Sequence, residues 1–128
     1  MFEQLKELLN MCYAKYSNYR VSAILVTKDN HTFKGVNIEN ASYGATICAE
    51  RSAFCNAISG GYKKNDFKEL YVMVDRDKIG SCCFLCRQVI SELCDKTMPI
   101  ICMNKKGEKT TYLVEELCAY PFNEENLR

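Results

Sequence analysis

Two short cysteine motifs constrain this fold more than any other feature of the chain. They read CAER at residues 48–51 and CFLC at residues 83–86. A Cys-x-x-Cys at the start of a helix projects both sulfurs from one face, so the two can share a metal ion. Zinc at catalytic sites takes three protein ligands and leaves its fourth position to water. Cys48, Cys83 and Cys86 can supply those ligands if the starts of two helices come together.

Glu50 lies two positions after Cys48. On a regular helix, side chains at i and i+2 point about 200° apart, so the two residues serve one site only if Cys48 lies at the first turn of its helix. There the free backbone N–H groups and the positive end of the helix dipole lower the pKa of a thiol. Three thiolates around Zn²⁺ leave one net negative charge, which the Arg51 cation is placed to offset.

This pattern points to a hydrolytic chemistry. Zinc lowers the pKa of its bound water to about 7, and a carboxylate that is not a ligand can carry the released proton to a leaving group. Attack on an amidine-like carbon, followed by loss of ammonia, is hydrolytic deamination. Zinc deaminases place a glutamate two residues after the first ligand and a Cys-x-x-Cys later in the chain. The motifs therefore predict an enzyme with one Zn²⁺ per chain, in which Glu50 moves the proton.

Hydrophobic periodicity predicts one α/β layered domain over residues 1–128. Apolar residues recur at helical spacing over 2–15, 48–59 and 83–93, with Ser81 as a candidate N-cap of the third helix. Short apolar runs bounded by turn residues predict strands at 21–27 and 32–38, paired as a hairpin, and at 70–74, 99–103 and 110–114. A polar tail ends the chain. Alternation of strands with helices indicates an α/β class.

Charge and cysteine content narrow the class of function. The chain has 17 Lys and Arg against 16 Asp and Glu, a formal net charge of +1. This balance argues against a nucleic-acid partner and against a polybasic membrane surface. No apolar run approaches the roughly 20 residues of a membrane-spanning helix, and no signal peptide is found, so we expect a cytoplasmic location. An odd count of nine cysteines favours metal-binding or catalytic thiols over a disulfide framework.

Four segments in order resemble one known family over nearly the whole chain. They are YAKYS at 13–17, NIENA at 37–41, CAER at 48–51 and CFLCRQ at 83–88. Together they resemble the small, homotetrameric, zinc-dependent cytidine deaminases. The resemblance implies a three-layer α-β-α fold with a mixed β-sheet. It also implies deamination of cytidine and deoxycytidine to uridine and deoxyuridine, with release of ammonia, in pyrimidine salvage.

The resemblance also implies roles for individual residues. Cys48, Cys83 and Cys86 correspond to the zinc ligands and Glu50 to the proton shuttle. Asn37 and Glu39 correspond to the residues that hydrogen-bond the ribose hydroxyls. Their side chains leave the same face of an extended segment. The remaining substrate contacts are Tyr19 packing on the nucleoside, backbone amides around Ala49 reading the base edge, and Phe122 reaching into the site of a neighbouring subunit.

A homotetramer with sites at its subunit boundaries is expected on two grounds. The resemblance implies it, and places Tyr43 near the same boundary as Phe122. Independently, a chain this small has difficulty enclosing a ligand by itself, which a shared site solves. The expected partner is a small nucleoside substrate, not a polynucleotide or a membrane.

The sequence departs from the family at positions that bear on the site. Cys82 stands where the family usually has proline, and Phe84-Leu85 stand between the paired cysteines where it favours small residues. Lys15 replaces a common proline and Ser22 a common glycine. Because Cys82 and Cys86 are four residues apart, they can share a helix face as well as Cys83 and Cys86 can. Residue spacing leaves this register open, and the resemblance favours Cys83.

Three other functions remain as alternatives. A deaminase of another cytosine-containing small molecule, such as a nucleoside antibiotic, differs only in substrate. A non-catalytic zinc module would use Cys82 as a fourth ligand, and a thiol oxidoreductase would use Cys83 and Cys86 alone. Outside the motifs, His31 is predicted to be a turn residue. Five other cysteines are predicted to pack in the core: Cys12, Cys55, Cys94, Cys102 and Cys118.

Overall fold

The structure is a computed structural model that describes residues 1–128. Its strands are β1 (Val21–Thr27), β2 (Thr32–Val36), β3 (Phe67–Val74), β4 (Pro99–Met103) and β5 (Lys109–Leu113). Its helices are α1 (Phe2–Leu8), α2 (Ala49–Ser59), α3 (Phe84–Leu93) and α4 (Val114–Leu117). Three 3₁₀ turns lie at Leu9–Met11, Tyr43–Ala45 and Glu124–Leu127.

The five strands form one mixed sheet in the order β2-β1-β3-β4-β5. β3 and β4 run parallel and every other neighbouring pair is antiparallel. β3 reaches β4 through α3, as parallel neighbours require. The predicted hairpin is confirmed, with Ser22 opposite Val36 and Val26 opposite Thr32. The α/β class with a mixed sheet is therefore confirmed.

Alternate residues along the strands build two cores, one on each face of the sheet. In β1, Ala23 and Leu25 face the larger core, which α2, α3 and α4 cover. Ile24 and Val26 face a smaller core covered by α1. This period of two is the consequence of strand geometry. Helices on both faces make the three α-β-α layers that the resemblance implied.

Several element boundaries differ from the prediction. The first helix ends at Leu8 with a 3₁₀ turn to Met11 instead of running to residue 15, because Cys12 is extended and Tyr13 forms a bridge with Ile38. Ser81 is not the cap of α3. Cys83 caps that helix, and its sulfur accepts the backbone N–H of Cys86 at 3.5 Å.

The ends of the predicted strands and of the tail also shift. β2 ends at Val36 instead of residue 38, β3 begins at Phe67 instead of residue 70, and β5 spans Lys109–Leu113. The tail contains α4 and a 3₁₀ turn. These differences leave the predicted order of strands and helices intact.

Gly35 sets how closely α2 lies on the sheet, and its replacement by alanine is expected to destabilise the fold. A Cβ at this β2 position would lie 2.2 Å from the Ala49 carbonyl oxygen and 2.5 Å from the Ala53 nitrogen. Because backbone atoms cannot move aside as a flexible side chain can, the start of α2 must shift. We expect Gly35→Ala to lower the free energy of unfolding by roughly 1–3 kcal/mol, the usual range for overpacking.

Urea unfolding measures this effect, and Gly44→Ala is the matched control, since an added Cβ there meets nothing within 4 Å. Equal midpoints for the two variants would show that the close contact between α2 and β2 does not constrain the fold.

Candidate metal centre and active site

Three thiols converge where α2 and α3 begin. Cys48 precedes the first residue of α2, Cys83 precedes that of α3, and Cys86 lies in the first turn of α3. Their sulfurs all lie within 4.8 Å of one another, and the Cys48 and Cys83 sulfurs are 3.6 Å apart. Sulfurs bound tetrahedrally to zinc at about 2.3 Å lie roughly 3.8 Å apart. The thiol cluster therefore fits Zn²⁺.

Cys82 is not part of this cluster, which answers the question of register. Its side chain is buried, and its interaction with the Cys102 thiol raises the pKa of Cys82. A fourth protein ligand from this position, as in a closed zinc module, is not present in the structure. The thiol cluster consists of Cys48, Cys83 and Cys86, the set that the resemblance favoured.

Cys48 is the thiol of the cluster whose pKa is most clearly lowered by its neighbours. Hydrogen bonds from the Cys86 thiol and from Arg51 lower the pKa of Cys48 to about 5. Hydrogen bonding with Cys48 correspondingly raises the pKa of Cys86. Arg51 Nη2 lies 3.5 Å from both the Cys48 sulfur and the Thr46 carbonyl oxygen, to which it donates. The guanidinium thus lies beside the negative charge that it is predicted to offset.

Glu50 is a buried carboxyl group in the first turn of α2, with 4% of its surface exposed. Burial raises its pKa, because a charged carboxylate loses its hydration there. The charge of Cys48 and the thiols of Cys82 and Cys86 all act on the pKa of Glu50, so its carboxyl group lies next to the thiol cluster. Cys48 can share a site with Glu50 because its backbone is still extended, before the helix begins. A solvated surface carboxylate, as first-turn acids often are, is excluded.

Asn37 and Glu39 organise the segment that precedes β1. Asn37 is buried, accepts the Val21 N–H at 3.0 Å and donates to the Tyr19 carbonyl at 2.7 Å. Glu39 accepts the backbone N–H groups of Tyr16 and Ser17 at 2.9 and 3.0 Å, and also the Ser17 hydroxyl. That hydroxyl lowers the pKa of Glu39. Both side chains therefore hold residues 16–21 in place.

Tyr19 lies between β1 and the loop that leads to Cys83. A Cβ added at Gly80, in that loop, would be 3.0 Å from the Tyr19 hydroxyl. Ala49 is fully buried at the first position of α2, where a backbone N–H has no partner inside the helix. Tyr19 therefore lies beside the loop that leads to α3, and Ala49 lies at the start of α2. The thiol cluster lies where these two helices begin.

A sequence model of the cytidine and deoxycytidylate deaminase zinc-binding region matches residues 1–102. The chain belongs to this deaminase family. A cytidine deaminase of Sporosarcina psychrophila is 39% identical over 122 residues, which cover 95% of this chain and 88% of the relative. A 1.6 Å crystal structure of a cytidine deaminase from Burkholderia pseudomallei gives a TM-score of 0.90 at 36% identity, covering 94% of this chain and 95% of that one.

A further relative carries a different substrate name. A blasticidin-S deaminase of Bacillus cereus is 33% identical over 125 residues, which cover 91% of this chain and 86% of the relative. Membership of the deaminase family identifies the chain as an enzyme. Together with the thiol cluster, it also identifies zinc as the metal.

Two of the residues by which this deaminase departs from its family, Phe84 and Leu85, lie beside the clustered thiols. Phe84 and Leu85 are 77% and 67% exposed at the start of α3. The Arg87 guanidinium stacks on the Phe84 ring at 4.3 Å and donates to the Cys82 carbonyl at 2.7 Å. Two bulky apolar side chains therefore stand in solvent next to Cys83.

Phe122, predicted to reach a neighbouring subunit, lies against α3 of its own chain. Its carbonyl accepts a hydrogen bond from Gln88 Nε2 at 2.8 Å, and its side chain is 56% exposed. Tyr43 packs edge-on against Tyr16 and helps to line a polar pocket of about 280 Å³ that contains Glu39. The role of Phe122 across a subunit boundary stays a prediction.

The remaining cysteines divide by burial. Cys94 and Cys102 are buried as predicted, and Cys12 and Cys118 are half-buried. The prediction for Cys55 is wrong, because it lies on the outer face of α2, away from the side that packs on the sheet. His31 lies in the β1–β2 turn as predicted, hydrogen-bonded to the Tyr62 hydroxyl. None of the helices has the length and apolar character needed to span a membrane.

Proposed function

We propose that the chain catalyses the zinc-dependent hydrolytic deamination of cytidine and deoxycytidine. Water and the nucleoside give uridine or deoxyuridine and ammonia. The observation that carries this proposal is the thiol cluster of Cys48, Cys83 and Cys86 with the buried carboxyl group of Glu50 beside it. The relatives named cytidine deaminase support the choice of substrate. We place the reaction in the cytoplasm, in pyrimidine salvage.

The chain's own residues supply the proton transfers and the charge balance. Cys48, Cys83 and Cys86 would hold the zinc ion, which would lower the pKa of a water molecule to about 7. The Glu50 carboxylate would accept one proton from the attacking water and deliver it to N3 of the pyrimidine. It would then take the proton of the new C4 hydroxyl and deliver it to the amine, so that the C4–N bond breaks and ammonia and a C4 carbonyl result. A raised pKa suits this exchange, because a carboxyl group must both take and release the proton near neutral pH. Arg51 offsets the negative charge of the thiol cluster.

The recognition of the nucleoside falls to residues around α2 and β1. A carboxylate offers about four acceptor positions, and Glu39 uses three of them on Tyr16 and Ser17. The remaining position can accept a ribose hydroxyl, with Asn37 as the second ribose contact. Tyr19 packs on the nucleoside, and the backbone amides around Ala49 read the edge of the base.

Assay of the zinc-loaded protein against a panel of cytosine compounds tests this function. The panel contains cytidine, deoxycytidine, free cytosine and blasticidin S, and the readouts are the ultraviolet change and released ammonia. We expect turnover of cytidine and deoxycytidine, and little turnover of free cytosine, which lacks the ribose. Absence of ammonia from both nucleosides, in protein that holds one zinc per chain, would overturn the proposal.

A cytosine-containing nucleoside antibiotic is the second candidate substrate. The Bacillus cereus relative favours it, and so does the exposed Phe84-Leu85 pair beside the metal ligands, which changes the space available to a substrate. The same panel decides between the two candidates. A higher kcat/KM for blasticidin S than for cytidine would make the antibiotic the principal substrate.

A homotetramer with sites at the subunit boundaries completes the proposal. The apolar side chains of Tyr13, Ile38 and Ile47 are exposed and neighbour one another through two backbone bridges. Ile47 continues into an apolar groove of about 460 Å³ between α2 and α3. Grouped exposed apolar side chains are typical of the core of a subunit interface, which supports assembly through this surface.

Light scattering measures the assembly state, for which we expect a mass of about four chains. Ile47→Asp should reduce this mass, since it places a charge in the apolar surface, whereas Lys68→Ala on the exposed side of β3 should not. A fully active monomer would contradict the shared site.

A further inference from the structure

The segment that carries Tyr19 is held by a residue outside every motif of the family, Arg76. This arginine follows the end of β3 by two positions. Its Nη2 donates to the Asn18 carbonyl at 2.9 Å, and its Nη1 donates to the Asp75 carbonyl at 2.7 Å. Its guanidinium carbon lies 5.1 Å from the centre of the Tyr19 ring. Arg76 therefore hydrogen-bonds to the backbone just before Tyr19 and also stacks on the Tyr19 ring.

The charge of Arg76 is not used in an ion pair. Its neighbours on the chain are paired, Asp75 with Arg20 and Asp77 with Lys105 and Lys106. Arg76 forms no ion pair with a carboxylate. Its side chain is nevertheless partly buried, so its charge is not simply surrounded by water. Two carbonyl groups and an aromatic ring are thus its partners, an arrangement that suits the planar guanidinium and that a lysine ammonium cannot reproduce.

The backbone of Tyr19 is held by the predicted ribose-binding residues. Its N–H donates to the Ser17 hydroxyl at 2.9 Å, and its carbonyl accepts from Asn37 at 2.7 Å. Ser17 in turn hydrogen-bonds to Glu39. These contacts fix the main chain but leave the ring free to rotate about its side-chain bonds. Arg76 is the charged group that lies over the ring.

The opposite end of the ring points to the approach to the metal centre. The Tyr19 hydroxyl occupies the space that a side chain at Gly80 would need, three positions before the zinc ligand Cys83. A change in the position of the ring would therefore change how Tyr19 packs against the loop that leads to Cys83. Since Asn18 has a left-handed backbone (φ 57°), the bond from Arg76 also fixes an unusual local conformation.

We propose that Arg76 is a positioning residue for the nucleoside: it holds the Tyr19 ring in place through stacking and through the Asn18 carbonyl. The proposal rests on the proposed function, because it takes Tyr19 as a substrate contact. Arg76 touches neither the thiol cluster nor Glu50 in the structure. Its loss should therefore weaken substrate binding and leave the chemical step unchanged.

Steady-state kinetics of Arg76→Ala and Arg76→Lys with cytidine test this role. For Arg76→Ala we expect KM to rise roughly 5–20-fold, the range for losing one stacked cation and one charge-assisted hydrogen bond, with kcat within about twofold. Arg76→Lys should recover little of the loss, because the ammonium cannot stack and bond to both carbonyls together. Full recovery by lysine would show that charge alone matters and would overturn the proposal.

A double-mutant cycle with Tyr19→Ala makes the test specific. If Arg76 acts through the ring, Arg76→Ala should change KM much less in the Tyr19→Ala background than in the wild type. Additive effects would overturn the proposal. Calorimetric binding of uridine, the product, supplies a readout apart from turnover, and its Kd should rise by about the same factor as KM. Lys68→Ala, a surface cation on β3, is the matched control and should leave both unchanged.

The two proposals fail in different ways. A wild-type protein that holds zinc and releases no ammonia from cytidine would overturn the proposed function. An active wild type whose KM and uridine affinity are unchanged by Arg76→Ala would overturn only the role of Arg76. A variant with a lower unfolding temperature and an unchanged KM would likewise show a structural role alone.

Discussion

Glu50→Gln is expected to lower kcat for cytidine by roughly 10²–10⁴-fold, the usual contribution of a positioned acid–base group. Glutamine has nearly the same shape but cannot accept and release a proton. Because Glu50 is not among the three clustered thiols, each chain should keep its zinc. Ammonia release and metal analysis on the same preparation measure both parts of this result.

Glu3→Gln is the matched control. Glu3 is also a first-turn carboxylate, in α1, but it is exposed and remote from the thiols. If both variants kept wild-type activity, Glu50 would be only a favourable charge at the start of a helix. If Glu50→Gln lost zinc together with activity, the carboxyl group would have a role in holding the metal, and the assignment of the proton transfers to it would be wrong.

Cys86→Ser is expected to have the second large effect, loss of zinc together with loss of activity. The Cys86 sulfur is fully buried within the cluster, and a serine hydroxyl is not deprotonated there to replace a thiolate ligand. Zinc content should fall from one per chain to near zero. A metal chelator should then no longer lower the unfolding temperature, since bound metal stabilises only the folded state that holds it.

Serine variants of two other buried cysteines show whether loss of zinc comes from a lost metal ligand or from disturbed packing. Cys94→Ser, at the far end of α3, controls for a buried hydroxyl and should keep the zinc. Cys82→Ser should also keep it, since the Cys82 thiol lies outside the cluster. Loss of zinc from Cys82→Ser would favour a closed, four-ligand site and would argue against an open position for the reaction.

The order of helices and strands could be predicted because each has a local signal. The α2 and α3 segments show apolar residues at helical spacing, and the strands show short apolar runs between turn residues. The extent of the first helix could not be predicted this way. Cys12 continues its apolar stripe, but pairing of Tyr13 with Ile38, a contact distant in sequence, takes the chain out of the helix.

The candidate site divides in the same way. The three clustered thiols and Glu50 have characteristic spacing, so the sequence predicts that they form one site. Arg76 has no such pattern, because its importance comes from its contact with Tyr19 across the fold. Ser17 lies in a segment that resembles the family, but its hydrogen bond to Glu39 joins residues distant in sequence and has no sequence signal. The register of the paired cysteines was also open until the structure placed Cys82 against Cys102, outside the thiol cluster.

A zinc titration of metal-free protein, with ammonia release from cytidine as the readout, tests the central claim most directly. If the three clustered thiols hold the catalytic metal, activity should rise in proportion to added zinc and stop rising at one ion per chain. Activity in protein stripped of metal, or no ammonia at one zinc per chain, would contradict the account.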